Sequence, residues 1–194
     1  MMKESLGLLS VILGCAGYAP YFRDIFKKRT KPHALTWIVW SILAGIVFIA
    51  QFNHHAGAGM WSMGLGFIAS STVAIIALVQ GEKNIQKSDV VAFVAALFAI
   101  LLWRLTGNAL LAVVLAAIIE LLSSYPTFRK SYAQPDQETV FLYEMDTLCV
   151  LFALMALEDF SLINALYPIV VMITNTAFVC MVLWRRRLAL RVSL

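Results

Sequence analysis

Long apolar runs alternate with short polar segments along the whole chain. A helix needs about 20 residues to cross the roughly 30 Å hydrocarbon core of a bilayer. Seven of the apolar runs have about this length, and each predicts one membrane-spanning helix. They cover approximately residues 5–25, 34–52, 59–80, 88–104, 108–128, 139–157 and 162–184.

The composition excludes an ordinary soluble domain. Hydrophobic residues make up 61% of the 194 residues and charged residues only 13%, with a mean hydropathy of +0.84. The net charge of +4 does not indicate nucleic-acid binding, because the basic residues form short clusters between apolar runs and no continuous stripe. We therefore predict an integral membrane protein that contacts lipids and binds no nucleic acid.

Lysine and arginine residues are distributed unevenly about the seven predicted spans. Only Lys3 and Arg104 fall on one side of the membrane. The other thirteen fall on the opposite side: Arg23, Lys27, Lys28, Arg29, Lys31, Lys83, Lys87, Arg129, Lys130, Arg185, Arg186, Arg187 and Arg191. By the positive-inside rule this bias predicts an amino terminus outside and a cytoplasmic carboxyl terminus, and its basic clusters would contact anionic headgroups.

Two matching segments indicate an internal repeat. Pro20-Tyr-Phe-Arg-Asp-Ile-Phe and Pro126-Thr-Phe-Arg-Lys-Ser-Tyr share Pro, Phe and Arg in register, with an aromatic residue six places after the proline. Such a recurrence predicts one membrane unit used twice, and duplicated membrane units usually belong to transporters. The predicted units are residues 1–82, a linker helix over 83–107 that makes the units parallel, and residues 108–194.

This 3+1+3 arrangement, with prolines marking the first and fifth helices, resembles the PQ-loop superfamily that includes the SWEET sugar transporters. The resemblance covers nearly the whole chain, although Pro20-Tyr21 and Pro126-Thr127 stand where the family has Pro-Gln. It implies an all-α integral membrane fold with seven transmembrane helices, arranged as two parallel three-helix bundles joined by a linker helix. It further implies transport by alternating access.

The family also places an asparagine of each third helix at the substrate. Asn175 matches that expectation in the seventh helix, whereas the third helix offers Ser70-Ser71-Thr72, of which Ser71 is the predicted equivalent. A hydroxyl cannot make the paired donor and acceptor contacts of an amide. Serine and threonine in membrane helices also often bond back to their own backbone.

An offset of 106 residues aligns further positions of the two units. Trp37 falls on Tyr143 and Trp40 on Asp146, and residues three apart share one helix face. We expect both faces to line one cavity that suits a small polar solute with an apolar side, such as a sugar or an amino acid. The alternative for the tryptophans is anchoring at the membrane interface.

Acidic residues inside apolar spans are the sharpest sign of function, because a buried carboxylate is costly unless it faces water, pairs or takes up a proton. Glu120 and Asp146 are therefore candidates for proton coupling. Glu120 falls opposite Gly14, which would leave room for its side chain, and Asp146 is preferred over Glu144 because it aligns with Trp40. The alternative is a neutral acid that is hydrogen-bonded within helix packing.

The matching segments also predict the moving parts. Proline inside a helix removes a hydrogen bond and favours a kink, so Pro20 and Pro126 are candidate hinges, with Arg23 and Arg129 forming part of a cytoplasmic gate. The alternative is that each proline merely ends its helix.

Taken together, these features predict a transporter of a small polar solute, either a uniporter or proton-coupled. No phosphate-binding loop, nucleophile elbow or metal-ligand spacing occurs in the sequence, so we predict no enzyme activity, cofactor or metal. Two alternatives remain: a membrane receptor or interaction protein on the same fold, as in the KDEL receptors, or a vitamin or nucleoside facilitator resembling the PnuC family. The sequence allows either a monomer or a homo-oligomer.

Overall fold

The computed structural model describes residues 2–81 and 86–192, except for the side chains of ten residues: 88, 89, 92, 96, 99, 100, 103, 190, 191 and 192. The described chain forms seven α-helices and two short 3-10 helices. The α-helices are α1 (Met2–Phe26), α2 (Ala34–Asn53), α3 (Trp61–Gln80), α4 (Lys87–Thr106), α5 (Ala109–Ala133), α6 (Val140–Ala156) and α7 (Leu162–Val192). The 3-10 helices cover Gly57–Met60 and Pro135–Gln137. Residues 83–85 of the predicted linker, including Lys83, lie outside the described residues.

Local signals explain several of the helix boundaries. The Asn108 side chain accepts a hydrogen bond from the backbone N–H of Leu111 at 3.0 Å and so caps α5. Gly107 precedes this cap with a φ of +63°, a left-handed conformation that favours glycine. At α2 the His33 ring accepts from the backbone N–H of Thr36 at 3.4 Å. Polar side chains thus fix the start of both helices.

Five segments of the described chain are long and apolar enough to span a membrane: Met2–Phe26, Ala34–Asn53, Gly57–Gln80, Ala109–Ala133 and Leu162–Ala189. The predicted all-helical membrane class is therefore confirmed in its coarse form. Helix α6 is not among the five because its 17 residues span only about 26 Å at 1.5 Å per residue. The 3+1+3 arrangement of seven spans remains a prediction, as does the orientation of the termini.

Small residues bring α1 close to its neighbours. Gly7, Ser10, Gly14 and Gly17 recur at helical spacing and are all buried, so they form one face that lets backbones approach closely, as is common in membrane helices. A Cβ atom at Gly17 would lie 2.9 Å from Met145 Cβ on α6. This face explains why α1 packs mainly on α6, although the two helices belong to different predicted repeats.

Hydrogen bonds connect the loops in two separate groups. At one end, Lys3 donates to the carbonyl of Leu157, and the backbone N–H of Glu158 donates to Ala56. At the other, which we call the basic end, Lys130 donates to the carbonyl of Lys31 and Arg186 to that of Pro135. The loop at 27–33, the loop at 134–139 and the end of α7 therefore share one end of the bundle.

The packing of the helices is similar in the two predicted units. Helix α1 contacts α3 and α6, and α5 likewise contacts α7 and α2, while α2 packs on α3 as α6 packs on α7. Two buried apolar clusters fill the interior. One contains Val47, Met63 and Tyr167, and the other, nearer the basic end, contains Trp37 and Phe178.

Candidate functional site

A cavity of about 70 Å³ lies between the two apolar clusters, and six of the seven helices contribute to it. No described side chain of α4 lines it. The lining residues are Tyr18, Trp37, Trp40, Ala44, Ser62, Met63, Gly66, Ser70, Glu120, Leu142, Tyr143, Asp146, Tyr167, Val171 and Asn175. Most of the predicted solute-binding residues therefore surround one space.

Asp146 and Asn175 form the central polar pair. The Asn175 side-chain amide donates from Nδ2 to Asp146 Oδ2 at 2.7 Å and thereby links α6 to α7. Glu144, two residues from Asp146, lines a different pocket, because two positions on a helix differ by about 200°. The structure thus places the predicted acid in the cavity and its neighbour away from it.

Glu120 lies at the side of the cavity formed by α5. Its side chain is buried, with 3% of the residue exposed, and accepts hydrogen bonds from Tyr167 at 3.0 Å and from Ser124 at 3.1 Å. The indole Nε1 of Trp40 lies near this carboxylate but forms no hydrogen bond of ordinary geometry. Glu120 and Asp146 therefore enter one cavity from different helices, each held by neutral donors.

Aromatic rings form the wall on the basic side of the cavity. Trp37 and Trp40 are edge-to-face with centroids 5.0 Å apart, and Trp40 meets Tyr143 at 6.5 Å in a similar arrangement. Tyr18 contacts Trp37 at 6.4 Å. Because Trp37 is only 3% exposed, the alternative that it anchors the helix at the membrane interface is wrong.

Ser71 does not line the cavity. Its hydroxyl bonds Ser41 Oγ and the carbonyl of Phe67, both at 2.6 Å, which is the backbone bonding that the alternative described. The adjacent Ser70 lines the cavity instead and lies 3.4 Å from the Tyr18 hydroxyl. Successive helical residues point about 100° apart, so the side chain of Ser71 points away from the cavity that Ser70 lines.

Gly14 does not make room for Glu120, contrary to the expectation from the repeat. A Cβ atom there would meet Leu65 on α3 at 2.5 Å and Cys149 on α6 at 3.4 Å. The glycine therefore serves the close packing of α1. The missing side chain creates space against α3 and α6, not at the carboxylate on α5.

The prolines and arginines of the matching segments occupy the half of the bundle near the basic end. Pro20 and Pro126 lie inside continuous helices, so the alternative that they end those helices is wrong. Arg23 is paired with Asp24 at 3.0 Å, whereas Arg129 donates to Gln86 Oε1 at 2.6 Å. Each arginine thus has its own partner, and the structure records no contact between the two.

A second and more open pocket of about 510 Å³ lies at the basic end, between α1, α6 and α7. Thr139 donates to Asp24 Oδ2 at 3.1 Å, and the Thr139 and Thr30 hydroxyls lie 2.6 Å apart, so these contacts join α1 and the loop after it to the residue that precedes α6. Buried Glu138 lies 3.5 Å from Lys130 Nζ. Burial raises the pKa of Glu138, and the positive charge of Lys130 offsets part of this effect.

Sequence reasoning missed Tyr18 and Tyr167, which line the cavity. One signal for Tyr18 was available, because the offset of 106 places it on Ser124, which bonds Glu120. Tyr167 lies just before Pro168 in α7, and no pattern in the sequence connects it with Glu120. Its role depends on the packing of α5 against α7.

Comparisons with protein-family models, with curated proteins and with solved structures found no match.

Proposed function

We propose that the protein transports a small polar solute by alternating access, with the cavity as its binding site. One observation carries the proposal: a cavity that two carboxylates enter lies in the interior of an apolar helical bundle. Buried acids are costly in such a bundle, and acids that are retained there usually serve binding or proton movement. A structural bundle would gain stability by filling this space with apolar side chains.

The proposal includes the SWEET-like arrangement of two parallel three-helix units around the cavity, with an outer amino terminus. It is supported by the equivalent packing of α1 and α5 and by prolines at equivalent places within them. Solute would reach the cavity from alternate sides as the units rock against each other. Pro20 and Pro126 would act as hinges, and Arg23 and Arg129 would contribute to closure at the basic end.

Within the cavity, each side chain has a role that its chemistry allows. Trp40 provides a flat apolar surface for the solute, and Asn175 can both donate and accept hydrogen bonds. Asp146 and Glu120 would bind the solute and carry a coupling proton. Ser70 takes the position on α3 that Ser71 was predicted to occupy.

Uptake into proteoliposomes tests transport directly. Purified protein is reconstituted, and uptake of labelled sugars, amino acids, amines and nucleosides is compared with protein-free liposomes. Ala44→Leu should block uptake because it fills the cavity that Ala44 lines, whereas Ala19→Leu on the exposed face of α1 should not. If no solute enters faster than in protein-free liposomes, the transport proposal is rejected.

A further inference from the structure

The charge balance of the cavity points to the kind of solute. Its lining includes Glu120 and Asp146, but no lysine, arginine or histidine is among the described residues that line it. The hydrogen-bond partners of the two carboxylates are an amide and two hydroxyls, all of them neutral. A buried carboxylate is stabilised most strongly by a positive charge, which no described lining side chain supplies.

The carboxylates also retain unused acceptor capacity. A carboxylate can accept about four hydrogen bonds, yet Asp146 Oδ1 accepts none within the described part of the chain. A charged donor from the solute could bond this oxygen, and such charge-assisted bonds are about twice as strong as neutral ones.

The aromatic wall favours the same class of solute. Indole and phenol rings attract cations to their faces, and cages of such rings recognise quaternary ammonium groups. Trp37, Trp40, Tyr18 and Tyr143 surround the basic side of the cavity, with ring centroids 5.0–6.5 Å apart. Aromatic rings and carboxylates therefore attract positive charge from different sides of the same space.

An independent observation indicates what else the solute carries. Tyr143 is 95% buried and lines the cavity, yet its hydroxyl has no hydrogen-bond partner among the described residues. The Trp40 Nε1 is also buried, and it forms no hydrogen bond of ordinary geometry although it lies near the Glu120 carboxylate. Buried donors without partners are costly, so an acceptor on the solute, such as a hydroxyl oxygen, would complete the site.

We propose that the cavity selects a small organic cation that also carries a hydroxyl group, as in an amino alcohol. The ammonium group would lie between the carboxylates of Glu120 and Asp146 and the indole rings, and the hydroxyl would accept from Tyr143 or Trp40. The cavity of about 70 Å³ fits a solute of only a few heavy atoms. This inference rests on the proposed function, because it names the solute of the same site.

Binding is tested on the full chain in neutral detergent by tryptophan fluorescence, since Trp37 and Trp40 line the cavity. The matched probes are choline and ethanolamine as cations, glycerol as the neutral solute and glycolate as the anion, with sodium chloride as the ionic-strength control. We expect the two cations to bind and the other three to have no saturable effect. Replacing Trp40 by Phe should reduce the fluorescence change, which would show that the solute binds near Trp40.

Isosteric variants test the role of the acids. Asp146→Asn and Glu120→Gln should each weaken ethanolamine binding by about tenfold or more, because a charge-assisted bond from its ammonium group is lost. Glu144→Gln is the matched control, since Glu144 is on α6 but lines the other pocket, and it should leave binding unchanged. Thermal unfolding of each variant checks that it is folded.

The outcomes separate this inference from the transport proposal. If folded protein binds glycerol as tightly as choline, or responds equally to sodium chloride, or binds neither cation, the inference is overturned. Neutral solutes that enter proteoliposomes while cations do not would overturn it and leave transport intact. If ethanolamine binds through Asp146 and Glu120 but neither it nor any other solute enters proteoliposomes, the cation site stands and the transport proposal fails.

Discussion

Replacement of Gly17 by alanine tests the close contact between α1 and α6. The new Cβ atom would lie 2.9 Å from Met145 Cβ and 3.3 Å from the carbonyl oxygen of Leu142, whereas carbon atoms in good contact are about 3.5–4.0 Å apart. Neither neighbour can rotate away, because one is a Cβ atom and the other is a backbone atom. The two helices must therefore separate.

The expected loss of stability follows from two opposing terms. Overpacking costs about 1–3 kcal/mol, and the better helix propensity of alanine over glycine recovers about 0.5–1 kcal/mol. We therefore expect Gly17→Ala to lower the free energy of unfolding by about 0–2.5 kcal/mol.

The assay is reversible unfolding in mixed micelles as the SDS fraction is raised, followed by circular dichroism. Gly66→Ala is the matched control, because a Cβ atom there meets only Ala44 Cβ at 3.9 Å, an ordinary contact. The control should gain about 0.5–1 kcal/mol from helix propensity alone. If Gly17→Ala is as stable as Gly66→Ala, the proposed contact between α1 and α6 is wrong.

Three further predictions concern the polar residues. Asn175→Ala should weaken solute binding by about 1–3 kcal/mol in a titration. The control is Thr176→Ala, because the Thr176 hydroxyl bonds only its own helix, and it should not change the affinity. If the two variants bind the solute equally well, Asn175 does not belong to the site. Asp146→Asn should abolish proton-driven accumulation in proteoliposomes while exchange at saturating solute survives, because the amide does not titrate; wild-type uptake that ignores an imposed pH gradient would instead indicate a uniporter. Burial raises the pKa of Glu138 above its ordinary 4.5, so its stabilising contribution is complete below the pKa of the unfolded chain and is lost as pH rises through the folded pKa. Thermal stability should therefore fall less with rising pH in Glu138→Gln than in wild type. If the two proteins lose thermal stability equally as the pH rises, the raised pKa of Glu138 is not the cause.

The sequence by itself determined the class of the protein and the positions of its helices. Apolar runs of about 20 residues must become helices in a bilayer, because only internal hydrogen bonds can satisfy the backbone there. The predicted span at 34–52 accordingly corresponds to α2 (Ala34–Asn53). The offset of 106 residues also predicted that Trp40 and Asp146 would line one cavity, and both side chains line it.

Only the tertiary structure decided the finer details of the cavity. Whether Ser70 or Ser71 lines the cavity depends on how α3 is rotated about its axis. Successive side chains point about 100° apart, and an apolar run does not show which of its faces turns toward the cavity. The bond between Tyr167 and Glu120 depends on how α5 packs against α7, and the absence of a basic residue from the described cavity lining depends on all six helices. A pattern along one helix records which face is apolar, but contacts between helices distant in sequence arise only when the bundle is assembled.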